Sequence, residues 1–393
     1  MDPRLNPYAP GAGQMPITLA GRDLLIEKAS IALYRIRHGR ASRSLIFYGL
    51  RGVGKTVLLN KIRLDAESLG LFTVMIEAPE ERSLPSILIP NLRTLLIKMS
   101  RVALIKDKVE KALSALAGFS QVMKIKYGDI EVSLDADKLL GTADSGDLET
   151  DLIDLLTLVG EAAQSAQTAI VIFVDELQYV PETQLAALIT ALHRVVQNQL
   201  PVTLIGAGLP QLVGNMGRAK SYAERLFEYI KIAELPNIEA KLALTLPANA
   251  LDVTYDEAAL DDILEKTQAY PYFIQEWGKH CWNIAKDNTI TLEDAVEATK
   301  SALAELDNSF FRVRFDRLTP SERKYIRAMA ELGAGPHRTG DIAQKLGRKP
   351  NLLAPTRGSL IKKGMLYAPA HGDAAFTVPL FDGYMKRIMP EFA

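Results

Sequence analysis

The chain has 393 residues, 46 basic and 47 acidic side chains and a formal net charge of -1, and 48% of it is apolar. That is long enough for two or three domains with sizeable cores and too apolar for disorder. Its single cysteine, Cys281, excludes an internal disulfide and a thiolate zinc cluster, and five scattered histidines without carboxylates at ligand spacing argue against a dedicated metal site.

Apolar runs such as 169–174 fall far short of the ~20 residues that span a bilayer. The N-terminus has no basic region ahead of an apolar core, so a soluble, cytoplasmic protein without membrane contact is expected. The near-neutral total hides a segregation. Residues 319–393 carry 12 Lys+Arg against 6 Asp+Glu, a net of +6, which leaves -7 on the rest. A basic segment on an acidic body favours a polyanionic partner, duplex DNA first, although a merely solvated basic surface has the same composition.

In chain order, residues 1–15 are rich in Pro, Gly and Ala and read as an arm. Leu25, Ala29, Ala32, Leu33 and Ile36 recur at helical spacing and predict a helix over 22–39. A short apolar run at 44–48 suits a buried strand, 53–69 reads as a helix and 71–77 as a second strand. Residues 84–116 are helical in pattern, with breaks expected around Pro85 and Pro90. Over 122–134 the period becomes two about Gly128 and Asp129, which predicts a hairpin suited to a partner surface, and an acidic loop follows over 135–150.

Helix 152–166, strand 169–174, helix 182–197, strand 202–205 and a fifth strand at 228–235 resume the alternation, which implies a parallel sheet covered on both faces. Strands are expected to stop at Pro236. Three amphipathic helices over 256–307 form a small α unit. Helices at 321–332, 340–346 and 351–363, then a hairpin of 365–368 with 374–378, close the chain. Thr339 suits the N-cap of the second of these helices, and Pro355 implies that the third starts late.

The strongest motif is Gly49-Leu50-Arg51-Gly52-Val53-Gly54-Lys55-Thr56, a full G-x-x-x-x-G-K-[ST] pattern between a strand and a helix. Its glycines let main-chain N–H groups wrap a phosphate at a helix N-terminus. Lys55 would reach the β- and γ-phosphates of ATP, and the Thr56 hydroxyl would ligate Mg²⁺. An apolar strand ends in Asp175-Glu176. Asp175 suits the Mg²⁺ shell and Glu176 the polarisation of an attacking water, a pairing that points to hydrolysis.

These two motifs resemble those of the AAA+ and related signal-transduction (STAND) ATPases, especially the origin-recognition and transposition branch and a bacterial group of AAA-family ATP-binding proteins. Ala20-Gly21-Arg22-Asp23, Asp175-Glu176-Leu177-Gln178, Gly206-Ala207-Gly208-Leu209-Pro210, 221–227 and Ala269-Tyr270-Pro271-Tyr272-Phe273 extend the likeness over nearly the whole chain. The resemblance implies an α/β P-loop NTPase of 5-1-4-3-2 strand order over 1–235, a helical lid over 236–310 and a winged helix-turn-helix over 311–393.

It further places ATP or ADP at the junction of core and lid, against Gly21, Arg22, Gly49, Arg51, Gly52, Val53, Gly54, Lys55, Thr56, Val57 and Pro271. Pro271 also suits a plain helix start. Arg225 would be a finger donated to a neighbouring subunit of a homo-oligomer, with Arg218 and Arg51 as competitors. Gly206-Ala207-Gly208 stands where the family carries a polar sensor, and 272–284 lacks the family's lid arginine, so slow hydrolysis is expected.

In the C-terminal segment, Arg348, Lys349, Arg357, Lys362 and Lys363 supply charge for DNA phosphates. A winged helix that docks only a protein partner, as in a signalling or defence switch, is the alternative.

Overall fold

The computed structural model describes residues 1–11, 13–78, 82–102, 106–123 and 142–392. The hairpin expected about Gly128 and Asp129 lies outside the described residues. After an N-terminal arm come α1 (Asp23–Arg37), β1 (Ser44–Tyr48), α2 (Lys55–Ser68), β2 (Phe72–Glu77), α3 (Leu84–Val102), α4 (Lys106–Val122) and α5 (Leu148–Ser165). Next follow β3 (Ile170–Asp175), α6 (Glu182–Gln197), β4 (Val202–Gly208), α7 (Gln211–Ala219), α8 (Ala223–Leu226) and β5 (Phe227–Lys231).

These five strands form one parallel sheet in the order β2-β3-β4-β1-β5, the expected order read from the other edge. Along β3 the pleat sends Ile170, Ile172 and Val174 into a core shared with α3 to α6, and Val171 and Phe173 into one shared with α1 and α2. Burial on both faces explains why β3 reads as an unbroken apolar run. Because β4 lies between β1 and β3, the loops leaving their carboxyl ends, Gly49–Thr56 and Asp175–Glu176, meet above a crossover in strand order, where open α/β sheets hold ligands.

Two expectations are corrected here. Pro90 lies inside α3 without breaking it. The Ser86 carbonyl that a proline at this spacing leaves unbonded accepts from Arg82 at 3.3 Å. The fifth strand ends at Lys231 rather than at 235.

Beyond the sheet lie α9 (Asn237–Asn249), β6 (Thr254–Tyr255), α10 (Glu257–Thr267), α11 (Pro271–Ile284), β7 (Thr289–Ile290), α12 (Leu292–Asn308) and α13 (Phe310–Asp316). The two-residue strands β6 and β7 pair in parallel, so strands do not stop at Pro236 as expected. The C-terminal segment has α14 (Pro320–Glu331), β8 (His337–Arg338), α15 (Thr339–Lys345), α16 (Ala354–Lys362), β9 (Leu366–Tyr367), β10 (Asp373–Phe376) and α17 (Phe381–Ile388).

Three helices and a hairpin come in the expected order, with β8 added to the hairpin's free edge. The third helix does start late, after a 3₁₀ turn at Pro350–Leu353, and Pro355 falls in its first turn, where no bond is lost. Thr339 is the first residue of α15 rather than its cap, and its hydroxyl donates to the Gly372 carbonyl at 2.7 Å.

The helical unit and the C-terminal segment share one apolar cluster, which runs from Leu235 to Met385. At its seam Phe311 packs against Phe381 and Tyr384 with ring centroids 5.8 and 5.3 Å apart. The arm belongs to this cluster. Tyr8 is 3% exposed, its hydroxyl donates to the Leu244 carbonyl, and a Cβ on Gly278 would lie 2.7 Å from its ring. No helix among the described residues is long and apolar enough to cross a membrane.

Candidate nucleotide site

A cavity of about 460 Å³ opens between the sheet's carboxyl edge and the helical unit. Arg22, Arg51, Gly52, Val53, Gly54, Lys55, Thr56, Val57, Asp175, Glu176 and Pro271 line it, so the structure brings most of the sequence-predicted residues together. Gly21 and Gly49, expected at the nucleotide, are not in its wall. Gly49 permits close packing instead: a Cβ there would lie 2.1 Å from the Ile232 carbonyl oxygen.

The loop geometry follows from its glycines. Gly52 and Gly54 have φ of 82° and 87°, left-handed values that few other residues hold cheaply. Among the described residues no carbonyl or side chain accepts from the N–H groups of Gly52, Val53 or Gly54. Unpaired donors at the N-terminus of α2 fit a phosphate chain.

Lys55 is 7% exposed and donates to the carbonyls of Gly49 at 3.0 Å and Leu50 at 2.8 Å. Burial pushes its pKa from 10.5 down to about 8, against the pull of the nearby Glu176 and Asp175 carboxylates. Arg22 is buried and does not simply face the cavity, because it ties the Val53 carbonyl (3.1 Å) to that of Ala233 (2.8 Å).

Asp175 is 4% exposed and accepts the Thr56 hydroxyl at 2.5 Å. Burial raises its pKa, partly offset by that hydrogen bond. A buried carboxylate beside a hydroxyl is a hard oxygen pair suited to Mg²⁺, and a cation there would relieve the cost of burying the charge. Glu176 sits in a left-handed conformation, φ 52°, and its N–H donates to Asp175 at 2.8 Å. Its carboxylate accepts from Gln178 and faces the Arg51 guanidinium at 3.6 Å.

Tyr272 and Ala20, from the stretches that carry the resemblance, also line it, and residues that no motif announces complete the wall: the arm between Ala9 and Leu19, Glu77 at the end of β2, Gln275 of α11, and Phe310 and Arg314 of α13. The C-terminal segment also reaches the loop. The Arg51 N–H donates to the Thr377 carbonyl at 2.9 Å, and the Arg51 side chain donates to the Tyr179 hydroxyl at 2.7 Å. Gly364, with φ 64°, packs so closely that a Cβ would lie 2.9 Å from Tyr179 Oη and 3.1 Å from the Arg51 guanidinium.

Arg225 lies outside this site, exposed on α8 beside the edge strand β5. Of the five cations expected on DNA, Arg348, Lys349 and Lys362 are exposed. The other two are engaged within the segment. Arg357 donates to the Asp373 carbonyl at 2.5 Å, and Lys363 pairs with buried Glu322 at 2.7 Å, so neither is a free phosphate ligand. The histidines are not all remote from carboxylates either: His280 lies 3.1 Å from Glu305 and 3.5 Å from Glu276. The Lys279 ammonium already bridges those two carboxylates, which makes the group an ion-pair cluster.

Residues 18–205 match the AAA ATPase domain model. The segment that carries both motifs is similar to an AAA ATPase domain. Residues 308–385 match a second model, described as a domain of unknown function (DUF8462). No curated protein matches the chain.

Three solved structures align along most of their length. The Thermotoga maritima RuvB Holliday junction branch migration motor has 16% identity and a TM-score of 0.46, over 93% of this chain and 96% of that one. Aeropyrum pernix Orc1 in complex with DNA has 14% and 0.47, over 95% and 94%. Cdc6p from Pyrobaculum aerophilum has 13% and 0.47, over 99% and 98%.

Proposed function

We propose that this ATPase is a switch whose nucleotide state controls its assembly and its engagement of DNA, or of a DNA-bound partner, through the C-terminal segment. The observation that carries this is the bond from the Arg51 N–H to the Thr377 carbonyl. It ties the phosphate loop to the residue that follows the second strand of the basic segment's hairpin. A nucleotide that reshapes the loop must either keep that bond or break it.

In this reading Lys55 leaves the Gly49 and Leu50 carbonyls for the β- and γ-phosphates. Thr56 and Asp175 hold Mg²⁺, whose charge offsets that of the phosphates. Glu176, released from Gln178 and Arg51, orients the attacking water. Arg225, free on the outside of the sheet's edge, is offered to the site of a neighbouring subunit. The exposed Arg348, Lys349 and Lys362 supply the electrostatic part of DNA binding.

The inward turn of Arg357 and Lys363 favours a second reading, in which the C-terminal segment docks a protein only. Fluorescence anisotropy of a labelled random duplex with the full chain separates the two. DNA engagement predicts binding at low salt whose affinity differs between ATP and ADP. Absence of binding at low salt from a folded, ATP-competent chain would falsify the DNA reading and leave protein docking.

A further inference from the structure

We propose that Arg314 binds the terminal phosphate of ATP and so carries the nucleotide state into the C-terminal segment. The inference rests on the cavity being the ATP site. Arg314 sits on α13, the short helix between the helical unit and the C-terminal segment, and lines the cavity with Lys55, Thr56, Asp175 and Glu176. It takes up a task for which α11, whose Tyr272 N–H meets the loop at Gly52, provides no arginine.

The surroundings of Arg314 are those of a cation waiting for an anion. Its guanidinium stacks over the Phe310 ring, 3.9 Å from the centroid, and donates to the Phe310 carbonyl one turn back. Among the described residues it has no carboxylate partner. Burial, reinforced by the nearby Arg51 and Arg317, pushes its pKa from 12.5 down to about 10. A desolvated guanidinium among like charges is costly until an anion pairs with it.

The groups around Arg314 favour the terminal phosphate. The groups whose charges Arg314 feels include Arg51 and Tyr179. Those two are joined at 2.7 Å, and Arg51 faces Glu176 at 3.6 Å. Arg51 and Arg314 line the cavity together with Glu176, so the phosphate assigned to Arg314 is the one beside Glu176.

The helix is built to transmit what that contact does. Phe310 stacks on Tyr272 at 4.8 Å, and the Tyr272 N–H donates to the Gly52 carbonyl at 3.1 Å. On the other face, Phe311 and Phe315 pack against Tyr384 of α17 at 5.3 and 6.0 Å. A shift of α13 toward a phosphate must move both.

The test uses the full chain with Mg²⁺ and compares calorimetric affinities for ADP and for AMP-PNP, which adds a terminal phosphate that is not hydrolysed. Arg314→Gln is expected to weaken AMP-PNP by about tenfold or more and ADP by less than about threefold, since a charge-assisted contact to the extra phosphate is lost. Retained ADP affinity also shows that the variant is folded. Arg314→Lys keeps the charge but not the planar fork, and should recover part of the AMP-PNP preference; it stands in if Arg314→Gln does not fold. Equal weakening of both nucleotides, or no change in either, overturns the assignment. Wild-type protein that binds neither nucleotide would instead remove the ATP reading itself, so the two failures are distinct.

Discussion

Lys55 shows how one residue is prepared for a ligand. Buried, with two main-chain carbonyls as its acceptors and its pKa held near 8, it is a cation whose solvation has been removed in advance. Lys55→Ala should weaken ATP binding by about 100-fold or more, the scale on which a buried charge contact is lost. Calorimetric ATP affinity close to the parental value in a folded variant would remove Lys55 from the site.

Glu176→Gln tests a different property. The amide keeps the shape and can still meet Gln178, but it cannot act as a base. ATP affinity should hold while turnover falls by roughly 10²- to 10⁴-fold in steady-state phosphate release. Parental turnover would place water activation elsewhere. Lys55, Thr56, Asp175 and Glu176 were legible in the sequence because their chemistry depends on neighbours in the chain. Glu77, Gln275 and Arg314 were not, because only the fold brings them to the same wall.

Elements were legible where a period persists and less so where a single contact overrides local preference. β3 and α6 fall within a residue of their expected limits, since unbroken burial and a clean helical stripe leave little choice. Pro90 misleads because the contact that compensates it, from Arg82, belongs to the loop before the helix. Lys363 misleads for the same reason. Its partner Glu322 is the third residue of α14, in a capping box with Thr319, and also accepts the Ser359 hydroxyl at 2.7 Å.

Burial alone would raise the Glu322 pKa, but Lys363, the Thr319 N–H and Ser359 outweigh it and hold the carboxyl at about 2 against an ordinary 4.5. A pKa lowered by folding stabilises the folded state fully above 4.5, and the contribution is lost as pH falls toward 2. Glu322→Gln should therefore cost about 2 kcal/mol at neutral pH and flatten the stability profile between those values. Denaturant unfolding across the acid range reads both. An unchanged profile would mean that Glu322 does not pin α14 to α16.

At the scale of the whole molecule, not all 12 cations of the C-terminal segment are open to a partner. Arg327 is buried against Glu331 and Lys363 pairs with Glu322 within the segment, while Arg387 ties it to Asp307 of α12, so these cations are taken up by the fold. Lys324, Arg338, Lys345 and Lys386 stay exposed, and so do Arg348 and Lys349 in the turn before the 3₁₀ segment and Lys362 at the end of α16. Counting residues along the chain could not make this distinction, because it depends on which carboxylates the tertiary packing supplies.

The distinction has a measurable consequence. Each phosphate contact contributes about 0.9 to the slope of log affinity against log salt on duplex DNA, so neutralising Arg348, Lys349 and Lys362 together should lower that slope by about 2.7. Neutralising Lys363 alone should leave the slope unchanged and lower stability instead, because it strands Glu322 without its cation. A salt series of anisotropy titrations on the full chain, run beside denaturant unfolding, reads slope and stability separately. A slope that responds to Lys363 and not to the exposed three would show that the C-terminal segment opens before it meets DNA.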